Sequence, residues 1–138
     1  MTEFQTQIQA ATRIVQTVYG LSVEWQPIPG EVEVVQACIG GREELPIYLT
    51  QSGEQTLCIC YLWHDDEIEP SRRTELLEAM LDLNIPMPLS AFARVEGYFV
   101  VFGALARQSR PEDLAQELAA LSENALEALE AFADYLKQ

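Results

Sequence analysis

Histidine occurs once in this sequence and cysteine three times, and eight lysines and arginines stand against twenty-two acidic side chains. Each scarcity excludes something. A net charge of −14 at pH 7 repels phosphate backbones and anionic lipid surfaces, which argues against direct nucleic-acid binding and against direct membrane insertion. The longest apolar runs, LCICYLW (57–63) and YFVVFGALA (98–106), fall short of the ~18 residues needed to cross a bilayer. No basic segment followed by an apolar stretch marks a secretory leader at the N-terminus. An odd number of cysteines, two of them inside an apolar strand-like run, predicts reduced, buried thiols and a cytoplasmic setting.

A chain of 138 residues predicts one domain. It is long enough to bury about two-thirds of its unfolded surface without disulfides or metals. Residues 2–19 have a helical stripe of Phe4, Ile8, Ala11, Ile14, Val15 and Val18, with capping-box spacing between Thr2 and Gln5. Strand patterns follow over 21–25, 31–39, 45–49 and 55–63, separated by Pro29–Gly30, Gly40–Gly41 and Ser52–Gly53 turns. Short turns favour an antiparallel meander. The unbroken apolarity of QTLCICYLW predicts a central strand covered on both faces.

After the acidic loop HDDEIEP (64–70), Ser71 is positioned to cap a second helix with Leu76, Leu77, Met80 and Leu81 as its stripe. Pro86 and Pro88 forbid its continuation. A hairpin then turns at Glu96–Gly97. The final helix is predicted from Ser109, with Glu112 in capping-box position, and carries Leu114, Leu118, Leu121, Ala125, Leu129, Phe132 and Leu136 at helical spacing. The order α-β-β-β-β-α-β-β-α defines an α+β fold, an antiparallel β-sheet with helices packed on it.

Little in the chain points to catalysis. Cys58 and Cys60 share one strand face, with Leu62 and His64 continuing that parity. Two thiols at C-x-C spacing, without a second pair, suit a core better than tetrahedral zinc. His64 is the one histidine available to any triad, and its neighbours Asp65 and Asp66 are adjacent only in sequence. The acidic run Asp65, Asp66, Glu67, Glu69 lacks the order of a calcium loop. A small regulatory domain binding a metal or small molecule through Cys58, Cys60, His64 and this loop is the alternative to a protein-binding role. The expectation is no enzyme, no cofactor and no metal.

The most patterned segment, LDLNIPMPLSAFARVEGYFVVFG (81–103), holds no acid–base pair or nucleophile. Its Leu81, Leu83, Asn84, Pro88, Leu89, Ser90, Phe92, Phe102, Gly103 and Leu105, with the acidic helix that follows, resemble the YjfI-like family of bacterial proteins. More distantly, the element order is similar to the YbjN and type III secretion chaperone-like fold. The resemblance implies a non-enzymatic chaperone-like or adaptor protein, a homodimer, and a partner such as a phage-shock-protein-A-like membrane-stress coiled coil. Aromatic and methionine side chains are enriched where proteins meet, so Met80, Met87, Phe92, Tyr98 and Phe99 are the candidate partner-binding residues. Glu112, Glu117, Glu123, Glu127, Glu130 and Asp134 on the last helix are positioned to steer a basic helical segment toward them.

Overall fold

Helix α1 (Glu3–Val18) opens the chain, and strands β1 (Val23–Ile28), β2 (Val34–Ile39), β3 (Ile47–Ser52) and β4 (Gln55–His64) follow. Helix α2 (Arg73–Leu83), the hairpin of β5 (Ala91–Val95) and β6 (Tyr98–Ala106), and helix α3 (Pro111–Ala131) complete it. The computed structural model describes all 138 residues. The element order is the one the sequence predicts. All six strands are antiparallel in the spatial order β1-β2-β3-β4-β6-β5, so β6 returns beside β4 and leaves β5 at the edge. No helix is long and apolar enough to cross a membrane.

The three helices pack on one face of the sheet. Phe4, Ile8, Ala11 and Val15 of α1 meet Leu114, Leu118, Leu121 and Ala125 of α3 over Val35, Ile47, Leu49, Cys58, Cys60 and Val101. Each fully buried Val, Leu, Ile or Phe among them contributes roughly 1.5–3 kcal/mol. A second cluster lies under α2, where Leu76 and Met80 pack with Trp63, Phe99 and Phe132. Leu62, Phe92 and Leu129 touch both clusters. The capping box at Thr2 and Gln5 forms as expected.

Several local expectations are overturned. Strand β4 is central but covered on one face only: Leu57, Ile59 and Tyr61 point away from the helices and stay partly open. Val18 is 69% exposed, because the last turn of α1 overhangs the core and the chain turns away at Tyr19. Ser71 caps nothing. Pro70 begins a 3-10 turn over Pro70–Arg72, so α2 starts at Arg73. Ser109 also falls outside its helix, since Pro111 sets the first turn and Arg110 stands at the cap without a side-chain bond.

The Glu96–Gly97 turn has φ of 49° and 85°, the left-handed pair that a tight hairpin demands. Gly97 is needed twice over, because a Cβ there would lie 2.9 Å from His64 Nε2. The β-sheet edges are blunted. Pro27 interrupts the donors of β1. On β5, the outward N–H of Phe92 donates to Asn84 Oδ1 at 2.7 Å.

Candidate functional site

The segment between α2 and β5 is a rigid bend that displays apolar side chains. Helix α2 buries Leu76 and Met80, and beyond them the chain has no further surface to cover. Leu81, Leu83, Ile85 and Leu89 are consequently exposed, Ile85 by 89%. Pro86 and Pro88 prevent helical continuation. Leu89 adopts φ 63°, a conformation a branched residue holds only when its surroundings impose it.

Those surroundings are two asparagines. Asn124, buried on α3, donates to Pro88 O and to Ser90 Oγ, both at 2.9 Å. Asn84 accepts from Phe92 N and ties the end of α2 to the first residues of β5. The bend is therefore held at both ends.

Two hollows flank Phe92. One, of about 330 Å³, is lined by Leu83, Pro86, Met87, Pro88, Phe92, Ala128 and Phe132, with Asn124 and Glu127 at its polar side. The other, of about 270 Å³, is lined by Leu77, Met80, Leu81, Phe92, Ala93 and Phe99, with Asn84 and Arg94. Together they form an apolar groove along α2, the bend and the end of α3.

Four of the five residues expected from the sequence converge there. Met87 and Phe92 line its walls, while Met80 and Phe99 are buried and form its floor. Tyr98 is not among them. It lies on the opposite, uncovered face, in an edge-on row with Tyr61 and Tyr48 at centroid separations of 5.5 and 5.9 Å. Leu83, Ile85 and Leu89, the residues that make the bend sticky, were not singled out as binding residues. A signal was present in the sequence, since they continue past the buried stripe with nothing left to pack against.

The acidic surface of α3 also differs from expectation. Glu117 is 2% exposed and faces the sheet, with no partner for Oε1. Burial pushes its carboxyl up to about 7. Glu123 is held by Arg42 at 2.9 Å. Glu112, Glu127 and Glu130 remain exposed.

The alternative cluster of Cys58, Cys60, His64 and the acidic loop does not assemble. Strict alternation would put Leu62 and His64 on the face of Cys58 and Cys60. An extra residue between Tyr61 and Trp63 shifts the register instead, so Trp63 turns inward and His64 pairs with Tyr98 on the other face. The His64 ring lies 4.8 Å from that of Tyr98, and its Nδ1 accepts from Asp66 N. Asp65 is engaged by Arg73 and Arg94, whose hydrogen bonds, Arg94 first, hold its carboxyl below the usual range. Both thiols sit in the core, where burial pushes Cys60 up to about 12 and Cys58 further.

The fold is α+β, a six-stranded antiparallel sheet with three helices, and it carries an apolar groove beside Phe92. The chain belongs to the family described as "Uncharacterized protein conserved in bacteria (DUF2170)", which matches residues 3–136. No curated protein sequence matches it. Among solved structures it is similar to a chain of the ExsC–ExsE complex, with a TM-score of 0.53 and 14% identity, covering 91% of this chain and 92% of that one. At that identity the likeness concerns the fold.

Proposed function

We propose that this protein is a non-enzymatic chaperone-like adaptor that holds a segment of another polypeptide in the groove beside Phe92. One observation carries the proposal: Leu81 and Leu83 line the groove from the exposed end of α2, where it meets a bend that Asn84 and Asn124 hold in place. Ordering such a bend in advance removes an entropic cost that binding would otherwise meet. The similar solved structure is itself a complex of two proteins, which supports a binding role. The motif residues between Leu81 and Leu105 support the narrower YjfI-like assignment.

The partner's chemistry follows from the groove. An amphipathic helix fits an apolar groove through side chains at i, i+3, i+4 and i+7. Glu127 on the rim and Glu130, one turn further along α3, favour a helix with a basic flank. A phage-shock-protein-A-like coiled coil, with a basic membrane-binding helix, is the partner the family resemblance supplies. A homodimer and a cytoplasmic setting belong to the same proposal.

Calorimetry and co-elution of the two purified proteins at low salt test it. A complex is expected whose on-rate falls with salt more than its off-rate rises, and Leu83→Glu should abolish it. Absence of a complex at low salt removes this partner. A complex indifferent to both Leu83→Glu and Leu81→Glu removes the groove.

A further inference from the structure

The face of the sheet opposite the helices is large, apolar and almost without charge. By register it carries Glu24, Gln26 and Ile28 of β1, and Val34, Gln36 and Cys38 of β2. Tyr48 and Thr50 follow on β3, and Leu57, Ile59 and Tyr61 on β4. Tyr98, Val100 and Phe102 continue it on β6, and Ala91, Ala93 and Val95 on β5. Of the thirty charged side chains in the chain, eight basic and twenty-two acidic, Glu24 alone stands on these strand positions. Glu44 and Glu96, outside the strands, also line the hollow on this face, which measures about 620 Å³. Loss of charge with enrichment in tyrosine marks the centre of a protein interface.

We infer that this face is the contact between two copies of the chain, stacked sheet against sheet. The inference deepens the homodimer proposed above and is independent of what the groove binds.

Electrostatics select the occupant. Two molecules of −14 each repel wherever their acidic surfaces meet, and this face lets them approach with almost no charge between them. A basic partner finds only Glu24, Glu44 and Glu96 here and is drawn more strongly to the acidic helices. Edge-to-edge pairing is obstructed on both sides, by Pro27 on β1 and by the Asn84 cap on Phe92 of β5. The area suffices. Six strands about 4.8 Å apart, each about six residues long at about 3.3 Å per residue, present roughly 500 Å² per copy. Two such faces bury about 1,000 Å², the size at which interfaces become specific. A two-fold axis makes the contact self-complementary, since the same tyrosine row meets its own copy and the assembly closes at two.

Light scattering of the intact chain over the micromolar range should give twice the 15.5 kDa chain mass. Ile59→Glu and, nearer the rim, Tyr98→Glu should each halve it, with an unchanged circular dichroism spectrum; should Ile59→Glu fail to fold, Tyr98→Glu decides. Leu81→Glu, in the groove, should leave the dimer mass intact. Cys38 is the one cysteine outside the core, and its labelling by a thiol reagent should slow in the dimer and recover in Tyr98→Glu. A monomeric wild-type protein, dimer mass retained by folded Tyr98→Glu, or a dimer broken by Leu81→Glu overturns the inference. Partner binding that persists in the monomeric variants leaves the groove proposal standing.

Discussion

The carboxyl group of Glu117 occupies the space above Gly103 that a side chain would take: a Cβ at position 103 would lie 1.3 Å from Glu117 Oε1. Gly103 pairs in register with Cys58, so an acidic side chain from α3 reaches down to the middle of the sheet. The site exists because one residue is small and the other is long.

Gly103→Ala should therefore be costly. The added methyl displaces a buried carboxyl, a form of overpacking worth roughly 1–3 kcal/mol. Urea denaturation, expected to show one cooperative transition, measures the loss. In the double variant with Glu117→Ala the two effects should fail to add. Simple additivity would show that the two residues do not share the space.

The same carboxyl makes stability depend on pH. Its ordinary value is 4.5 and burial raises it to about 7 in the folded chain. Between those values the folded state keeps a proton that the unfolded chain has lost. The contribution is therefore complete below about 4.5 and disappears as pH rises through about 7. At about 1.4 kcal/mol per pKa unit the loss is of order 3 kcal/mol. Glu117→Gln should flatten the melting temperature between pH 5 and pH 8 and exceed wild type at the alkaline end. An unchanged slope in this variant would assign the dependence to other groups.

The thiols are structural in this arrangement. Cys58→Ala or Cys60→Ala should each cost roughly 1–2 kcal/mol and leave partner binding unaltered. Neither wild-type thiol should react with a thiol reagent until the chain unfolds. One equivalent of zinc in untagged protein, lost on these substitutions, would contradict this.

Leu89 offers a separation of stability from binding. An L-residue in the left-handed region loses roughly 1–2 kcal/mol, and glycine does not. Leu89→Gly should hold or raise stability by up to about 1 kcal/mol and leave the groove partner bound, because Leu89 lines a separate hollow with Leu105 and Arg110. If stability and affinity fell together, the residue would be holding the bend on which the groove depends.

The sequence made the elements legible because their signals were local. Thr2 and Gln5 announced α1, the paired turn residues separated the strands, and Glu96–Gly97 fixed the hairpin. What escaped depended on tertiary placement. The apolar run of β4 matches a strand buried on both sides, yet Ile59 and Tyr61 lie on a face the helices do not reach. Glu117 falls on the buried stripe between Leu114 and Leu118, but only the position of Gly103 in the sheet explains how a carboxyl fits there. Four of the candidate binding residues came together because α2 and the hairpin are neighbours in sequence as well as in space. Tyr98 parted from them because adjacent residues on a strand face opposite ways.

Phe92 touches both core clusters as well as both hollows, and this gives the groove a mechanical reach beyond its own walls. A guest seated against Phe92 presses on the seam where the packing under α1 and α3 meets the packing under α2, with Leu62 and Leu129 alongside. Close-packed interiors transmit such pressure, since they have few voids to absorb it. A bound segment would thus tighten the joint between the two halves of the core. Amide exchange should slow as far away as β4, in residues the guest never meets.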